Sequence, residues 1–164
     1  MATIESPREL FVYKLGAALE MEETILGMLD ELEEKANDSQ LKENLRHHHR
    51  ETEQQVRNLE RVFEALGAEP ATQSCPTIEG LEKEGESMVK KVDDSLNDAV
   101  ILSGVTETEA HEIAVYDGLI TNAEAMGEQD VVALLQENLE QEQATLQKAR
   151  KAIQERARRV AQMT

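Results

Sequence analysis

Proline, the residue that most strongly breaks helices, is rare in this 164-residue chain. It occurs only at positions 7, 70 and 76, so residues 8–69 and 77–164 contain none. An interior proline removes a backbone hydrogen bond and clashes with the preceding turn, which costs about 3 kcal/mol. Both proline-free stretches are rich in alanine, leucine, glutamate and glutamine, which favour helix. The sequence therefore predicts an all-α fold.

The remaining helix breakers divide the chain into four long helices and one short helix. Ser6 followed by Pro7 is typical of a helix start, and Gly67 and Gly127 are typical of helix ends. A short helix is predicted in the segment IEGLEKEGESMVKK, between the second and third long helices. The predicted long helices cover about residues 7–36, 40–66, 93–127 and from there to about 160.

The lengths of the connections predict the topology of these helices. Short turns join the first long helix to the second and the third to the fourth, so each of these pairs should be antiparallel. The longer connection lies between the second and third. Two hairpins joined by one long crossover form the ferritin-like four-helix bundle. We expect residues 1–164 to form one such domain, with the short helix in the crossover.

The charge and the cysteine content exclude several classes of function. The formal net charge is −17, whereas phosphate binding needs a basic surface, so nucleic acid is not an expected partner. The sequence has no run of about 18 apolar residues, so no membrane span is predicted. The first residues do not resemble a secretory signal. We therefore expect a cytoplasmic protein with no membrane partner. Cys75 is the only cysteine, which leaves no internal disulfide and no thiolate metal cluster.

Charged residues interrupt the apolar faces of the first two helices. At about 100° per residue, Glu22 lies within about 20° of the apolar residues before and after it on the first helix. On the second helix His48 occupies the apolar face, and Glu51 follows it after about one turn. The adjacent His47 and His49 are rotated by about 100° to either side. Glu22, His48 and Glu51 are therefore predicted to point into the bundle.

The second pair of long helices repeats this pattern. Glu109 lies on the apolar face of the third helix, Glu112 follows it by about one turn, and Glu142 takes an apolar-face position on the fourth. His111 is rotated about 160° away from Glu109, so both it and Glu107 are expected on the outer face. The predicted inner face of the third helix consists of Val92, Leu96, Ala99, Ser103, Thr106, Glu109, Ile113, Tyr116, Ile120 and Ala123.

These six inward residues should lie at a common depth in the bundle. Glu22 and Glu51 are 29 residues apart across one hairpin, and Glu112 and Glu142 are 30 apart across the other. Burying an unpaired carboxylate costs several kcal/mol, and no lysine or arginine lies on these faces at that level. Two divalent cations would neutralise the cluster, and oxygen ligands with one imidazole suit iron or manganese. An empty polar layer is the alternative interpretation.

The chain contains, in order, the segments FVYKLGAALEMEETIL, HHHRETEQQVRNLERV, EAHEIAVYDGLITNAEAMG and LLQENLEQEQATLQK. They resemble the four helices of the YciE/YciF-type family of ferritin-like di-iron proteins, most specifically in H-x-x-E-T and E-x-x-E-I-A-x-Y. The resemblance implies a di-iron bundle, usually a homodimer, that is linked to bacterial stress responses. This sequence departs from the family at Ala110, because many family members have a histidine at that position. The implied metal ligands are Glu22, His48, Glu51, Glu109, Glu112 and Glu142.

The leading functional prediction is a protein with two iron ions that handles iron, dioxygen or peroxide by redox cycling of the metals. The residues leave open whether the protein is an enzyme. If it is one, an oxidase- or peroxidase-type oxidoreductase is expected. One alternative is a manganese catalase-like enzyme, which uses the same ligand types. Another is a non-enzymatic, stress-induced interaction protein whose metal is structural. Tyr116, one turn from Glu112, is interpreted either as a core residue or as a hydrogen-bond or electron donor.

Overall fold

The chain is helical, with no strand, over residues 3–163, the part that the computed structural model describes. Side chains are described for residues 3–158. None of the helices in this part is both long and apolar enough to cross a lipid bilayer. The prediction of an all-α fold is confirmed. The five helices are α1 (Pro7–Lys35), α2 (Ser39–Ala65), α3 (Pro76–Val89), α4 (Asn97–Met126) and α5 (Gln129–Met163).

Most helix ends lie where the local sequence predicts them. The Ser6 side chain accepts a hydrogen bond from the backbone N–H of Glu9, which caps the first turn of α1. Asp38 caps α2 in the same way. Gly127, with φ of 76°, follows α4 in the left-handed conformation that glycine adopts most readily. Only two residues separate α4 from α5, so the second hairpin turns as tightly as predicted.

The start of α4 differs from the prediction by about one turn. A single 3-10 turn, Asp94–Leu96, precedes α4, and α4 itself begins at Asn97 rather than near residue 93. The carboxylate of Asp93 explains this difference, because it accepts hydrogen bonds from the backbone N–H and the hydroxyl of Ser95. Asp93 therefore caps the tighter 3-10 turn instead of the α-helix.

The four long helices form a ring in which α1 packs against α2 and α4, and α5 packs against the same two helices. The short helix α3 lies in the crossover and packs on α4 and α1. Asp98 joins several of these elements at one end of the bundle. Its carboxylate accepts from the backbone N–H of Asn37 at 2.6 Å and from Arg156 on α5 at 2.8 Å. The architecture is the predicted ferritin-like bundle with a short crossover helix.

The first half of α4 buries a different face from the one predicted. Leu96 is 52 % exposed, and Ala99 and Ser103 are also exposed, whereas Ile101 and Leu102 are buried. The prediction was wrong here because four consecutive apolar residues, AVIL, give no periodicity that singles out one face. On the other long helices the predicted inward residues Glu22, His48 and Glu142 are buried, and Glu51 is half-buried. The apolar side of α4 that is turned away from the core faces α3.

The connection between α2 and α3 runs across α1 and makes a close contact at Gly16. The backbone N–H of Gln73 donates to the carbonyl of Gly16 at 3.0 Å. A Cβ at position 16 would lie 2.5 Å from the carbonyl oxygen of Ala71, well inside van der Waals contact. Glycine at this position therefore allows the crossover to lie directly on α1.

Candidate metal centre

Four of the six predicted ligands converge in the middle of the bundle. His48 comes from α2, Glu109 and Glu112 come from α4, and Glu142 comes from α5. One potential ligand atom from each of them lies within 4.8 Å of the others, and all four side chains are buried. Nε2 of His48 is 2.9 Å from a carboxylate oxygen of Glu109. Such a cluster of one imidazole and three carboxylates could hold a metal ion.

The other two predicted ligands flank this group on different sides. Glu22 on α1 is fully buried, and its Oε1 accepts a hydrogen bond from the hydroxyl of Tyr116. Glu51 on α2 keeps 19 % of its side chain exposed and lies 3.1 Å from Nε2 of the exposed His47. One Glu51 oxygen is 3.9 Å from Nδ1 of His48. Glu51 is thus the only one of the six that solvent reaches.

Most of the buried polar atoms that lack a hydrogen-bond partner belong to these six side chains. Among the described side chains, eleven buried nitrogen or oxygen atoms have no partner in the protein, and eight of them are on the predicted ligands. Both carboxylate oxygens of Glu112 and of Glu142 are among them, as are Oε2 of Glu22 and Oε2 of Glu109. Buried polar groups in folded proteins nearly always have partners. Metal coordination would satisfy these atoms at one place.

The electrostatics of the cluster favour protons on Glu22, Glu112 and Glu142 in the absence of a cation. Burial raises the pKa of Glu22 to about 7, although its hydrogen bond from Tyr116 acts in the opposite direction. Burial raises the pKa of Glu112 well above its usual range, and the charge of Glu142 adds to this effect. Glu142 behaves in the same way, through burial and then the charge of Glu22.

The neighbouring carboxylates favour the charged form of the His48 imidazole. Burial alone would lower the pKa of His48, but the adjacent Glu109 carboxylate overrides this effect and raises the pKa to about 10. The same imidazole helps to lower the pKa of Glu51, against the effect of that residue's partial burial. Without a cation His48 is therefore the positive charge of the cluster. A metal ion that binds a ring nitrogen of His48 must therefore displace a proton.

A chain of buried amides supports the site, and the sequence analysis did not identify it. Asn138 donates to the hydroxyl oxygen of Tyr116 at 3.0 Å and accepts from Asn58 at 2.8 Å. Gln54, on the outer side of α2, donates to Asn58 at 3.1 Å, and the exposed Arg57 donates to Gln54. The signal in the sequence is spacing, since Asn138 lies four residues before Glu142 on the same face of α5. This series of hydrogen-bonded amides holds the hydroxyl of Tyr116 against Glu22.

The remaining histidines and Glu107 lie outside the cluster. His47 is exposed, and His49 lies 3.4 Å from Asp30, a largely exposed carboxylate of α1. Glu107 is exposed, as predicted. His111 is half-buried rather than fully on the outer face, and burial lowers its pKa. It is not among the four residues that converge.

A cleft whose lining residues are mostly polar lies between α2 and α5 and reaches the cluster. It has a volume of about 170 Å³ and is bordered at its inner end by His48 and Glu51. Asp38, Lys148 and Glu155 line its outer part. This cleft therefore ends at Glu51, the one predicted ligand with a partly exposed side chain.

Comparison with known proteins agrees with this architecture. Residues 6–162 match a family described as a domain of unknown function, DUF892. The chain belongs to this family. Protein YciF of Escherichia coli strain K12 is 28 % identical over 147 residues, which cover 88 % of this chain and 87 % of that protein. The predicted YciF-type relationship is confirmed.

Two solved structures share the fold over nearly the whole chain. YcfI from Rhodopseudomonas palustris superposes with a TM-score of 0.88 at 33 % identity, covering 90 % of this chain and 94 % of that chain. The E. coli stress protein YciF superposes with a TM-score of 0.87 at 25 % identity, covering 92 % and 96 %. The ferritin-like bundle is therefore common to this chain and to both relatives.

Proposed function

We propose that this protein binds two divalent metal ions in the centre of the bundle, with iron as the first choice and manganese as the alternative. The observation that carries this proposal is the concentration of unpaired buried atoms on six side chains of four helices. Five carboxylates with one imidazole match the donor set of carboxylate-bridged metal pairs in such bundles. The proposed ligands are Glu22, His48, Glu51, Glu109, Glu112 and Glu142.

The two hairpins divide this ligand set equally. The α1–α2 hairpin supplies Glu22, His48 and Glu51, and the α4–α5 hairpin supplies the other three ligands. A charged His48 carries a proton on both ring nitrogens and must lose one of them before it can ligate. Its Nε2 contacts Glu109, whereas its Nδ1 has no partner in the protein. Tyr116 holds one oxygen of Glu22 through its hydroxyl, which leaves the unpaired Oε2 free for coordination. Bound iron or manganese would supply one-electron redox chemistry at this position.

We propose that the centre handles iron, dioxygen or peroxide as part of a stress response, in an oxidase-, peroxidase- or catalase-like role. Support comes from the buried redox-suited donor set and from the relationship to a protein described as the E. coli stress protein YciF. A homodimer in the cytoplasm is part of the same proposal, on the basis of the family resemblance. The polar cleft at Glu51 supplies access for cations.

A second candidate is a non-enzymatic interaction protein in which the metal is structural. The observation that favours it is an exposed apolar surface on the first turns of α1. Leu10 is 47 % exposed and Tyr13 is 40 % exposed, which is unusual for large apolar side chains lying close together. In this role the metal would stabilise the bundle and the α1 surface would contact a partner protein.

Metal analysis of matched variants tests the proposal. The purified protein is loaded with ferrous iron without oxygen, desalted and analysed by mass spectrometry of its metals. Two metals per chain are expected for the wild type and for Glu53→Ala, which changes an exposed glutamate of α2. Glu51→Ala should bind fewer, because it removes one ligand and opens the site to water. Less than one metal per wild-type chain, even after aerobic loading, contradicts the dinuclear site.

Oxygen and peroxide consumption then separates the two candidate roles. The redox role predicts that the loaded wild type consumes one of these oxidants and that Glu51→Ala does so much more slowly. The structural role predicts two bound metals with no consumption of either oxidant above that of free iron at the same concentration.

A further inference from the structure

A largely apolar cavity of about 420 Å³ lies between α1, α3 and α4. It is distinct from the polar cleft at Glu51, and His48 is the only α2 residue in its lining. Its inner end is formed by His48 and Glu109, two of the proposed ligands. The walls are mostly aliphatic and include Met28, Leu32, Leu81, Met88, Val92 and Val100.

The misassigned face of α4 forms one wall of this cavity. Leu96, Ala99 and Ser103 face away from the core and line the cavity from the α4 side. At its mouth Leu96 is 52 % exposed and Met88 of α3 is 39 % exposed. Apolar side chains that border a concave pocket of this size are typical of small-molecule sites. The helix therefore has two apolar faces, one for the core and one for the cavity.

The inner end of the cavity has the opposite chemistry. His48 and Glu109 are only 4 % and 1 % exposed, and Oε2 of Glu109 lacks a partner in the protein. Apolar walls that lead to one ionic end fit an amphipathic molecule with a single polar head. Dioxygen alone would fill a small part of this volume and would not require an exposed apolar mouth.

We propose that this cavity binds an unbranched aliphatic chain with one oxygen-bearing head group, such as a medium-chain fatty acid or alcohol. The chain lies between α3 and α4, and the head group reaches the metal centre beside Glu109. This inference rests on the proposed function for the role of the head group, whereas the chain site depends on the apolar walls alone. Because a bound metal ion would add positive charge at this inner end, a carboxylate head should bind more tightly when metal is present.

Two glycines on α4 provide a matched test. Gly104 lines the cavity, and a Cβ added there meets no atom within 4 Å. Gly118 on the same helix is equally open to a Cβ and lies outside the cavity. Gly104→Leu should fill the cavity without a backbone clash, and Gly118→Leu introduces the same side chain into the same helix as a control.

Calorimetric titration with decanol and butanol measures the chain site in metal-free protein. Decanol should bind wild type and Gly118→Leu at least tenfold more tightly than butanol, since each buried methylene contributes about fourfold. Gly104→Leu should bind decanol at least tenfold more weakly. Equal decanol affinity in the two variants overturns the proposal. So does a Gly104→Leu variant that changes the oligomeric mass in sedimentation while binding decanol normally, because the face is then an interface between copies.

Titration with decanoate tests the head group in protein of known metal content. Decanoate should bind the manganese-loaded wild type at least tenfold more tightly than the metal-free protein. If two metals bind and decanoate shows no such preference, the placement of the head group is wrong and the proposed metal site stands. If no metal binds but decanol behaves as expected, the metal site is wrong and the chain site stands.

Discussion

Tyr116 donates its hydroxyl hydrogen to Oε1 of Glu22, which links the centre of α4 to the centre of α1. Both side chains are fully buried. The hydroxyl oxygen is fixed in turn by Asn138 of α5, so one phenol connects three of the four long helices. Burial raises the pKa of Tyr116 well above its usual range, and the charge of Glu22 raises it further. The phenol therefore stays protonated and acts as a donor to the carboxylate.

Replacing Tyr116 by phenylalanine should destabilise the metal-free protein by about 1–3 kcal/mol, because a buried carboxylate oxygen loses its donor. The metal stoichiometry should not change, since Oε2 of Glu22 remains available. Urea unfolding of metal-free protein, followed by circular dichroism, measures the change in the free energy of unfolding. Tyr13→Phe is the control, because Tyr13 is 40 % exposed. Equal stability of the two variants would show that the buried bond contributes nothing.

The metal-free protein should become less stable as the pH rises from about 5 to about 8. Carboxyl groups whose pKa is raised in the folded state, to about 7 at Glu22, bind protons more tightly when folded, so stability is lost as they ionise. His48, with a pKa of about 10, acts in the same direction above its unfolded value of 6.5. Thermal melts across this range check the slope. Stability that rises with pH in this window would rule out clustered carboxylates.

Glu112→Gln should increase the stability of the metal-free protein at about pH 8, because burial raises the pKa of Glu112 well above its usual range. The amide has nearly the same shape and cannot ionise, so the burial of a charge is avoided. The same change should weaken metal binding. Glu124→Gln, which changes an exposed residue of the same helix, should alter neither quantity. Urea unfolding with and without metal measures both effects, and a less stable Glu112→Gln apoprotein would argue against the interpretation.

Two glycines of α1 should respond to alanine in opposite directions. Gly16→Ala should destabilise the protein by about 1–3 kcal/mol, because the new methyl group overlaps the backbone of the crossover at Ala71. Gly27→Ala should stabilise it by about 0.5–1 kcal/mol, since a Cβ there meets nothing within 4 Å and alanine favours helix. Midpoints of urea unfolding decide the signs. A stabilising Gly16→Ala would mean that the crossover does not lie on α1.

Asp98 should contribute stability that is lost at acidic pH. Although its burial acts against this, hydrogen bonds from Asn37 and Arg156 lower the pKa of Asp98 below the ordinary value of 3.8. Its contribution is therefore present above the unfolded pKa and disappears as the pH falls through the folded pKa. Asp98→Asn should cost about 1–3 kcal/mol at neutral pH and progressively less below about pH 4. Asp94→Asn, at an exposed position, is the control for urea unfolding at both pH values.

Helical periodicity was sufficient to predict the buried faces wherever polar residues separated the apolar ones. On α2 the predicted inward residue His48, in the middle of three histidines, is buried, and Glu51 is half-buried. The same reasoning failed at the start of α4, where consecutive apolar residues serve both the core and the cavity beside α3. Periodicity gives the direction of a side chain only when one face is apolar.

The ligand directions were also predictable, but their surroundings were not. All six predicted residues lie in or beside the cluster, yet the partial exposure of Glu51 depends on how closely α2 approaches α5. The pairing of Asn138 with Asn58 was not predicted, because the position of one polar residue on an inner face does not identify its hydrogen-bond partner on another helix. Their pairing, at 2.8 Å, joins residues 80 positions apart in the chain. Only tertiary structure brings such partners together.

The equal division of the proposed ligands between two hairpins has a consequence for unfolding. Apart from the long connection through α3, the α1–α2 and α4–α5 hairpins are separate segments of chain. Ions shared between them would bind only the folded protein and would hold together two halves that are distant in sequence. Removing the ions should therefore speed the parting of the two hairpins before either hairpin melts, and amide hydrogen exchange would show this first at the interfaces α1–α4 and α2–α5.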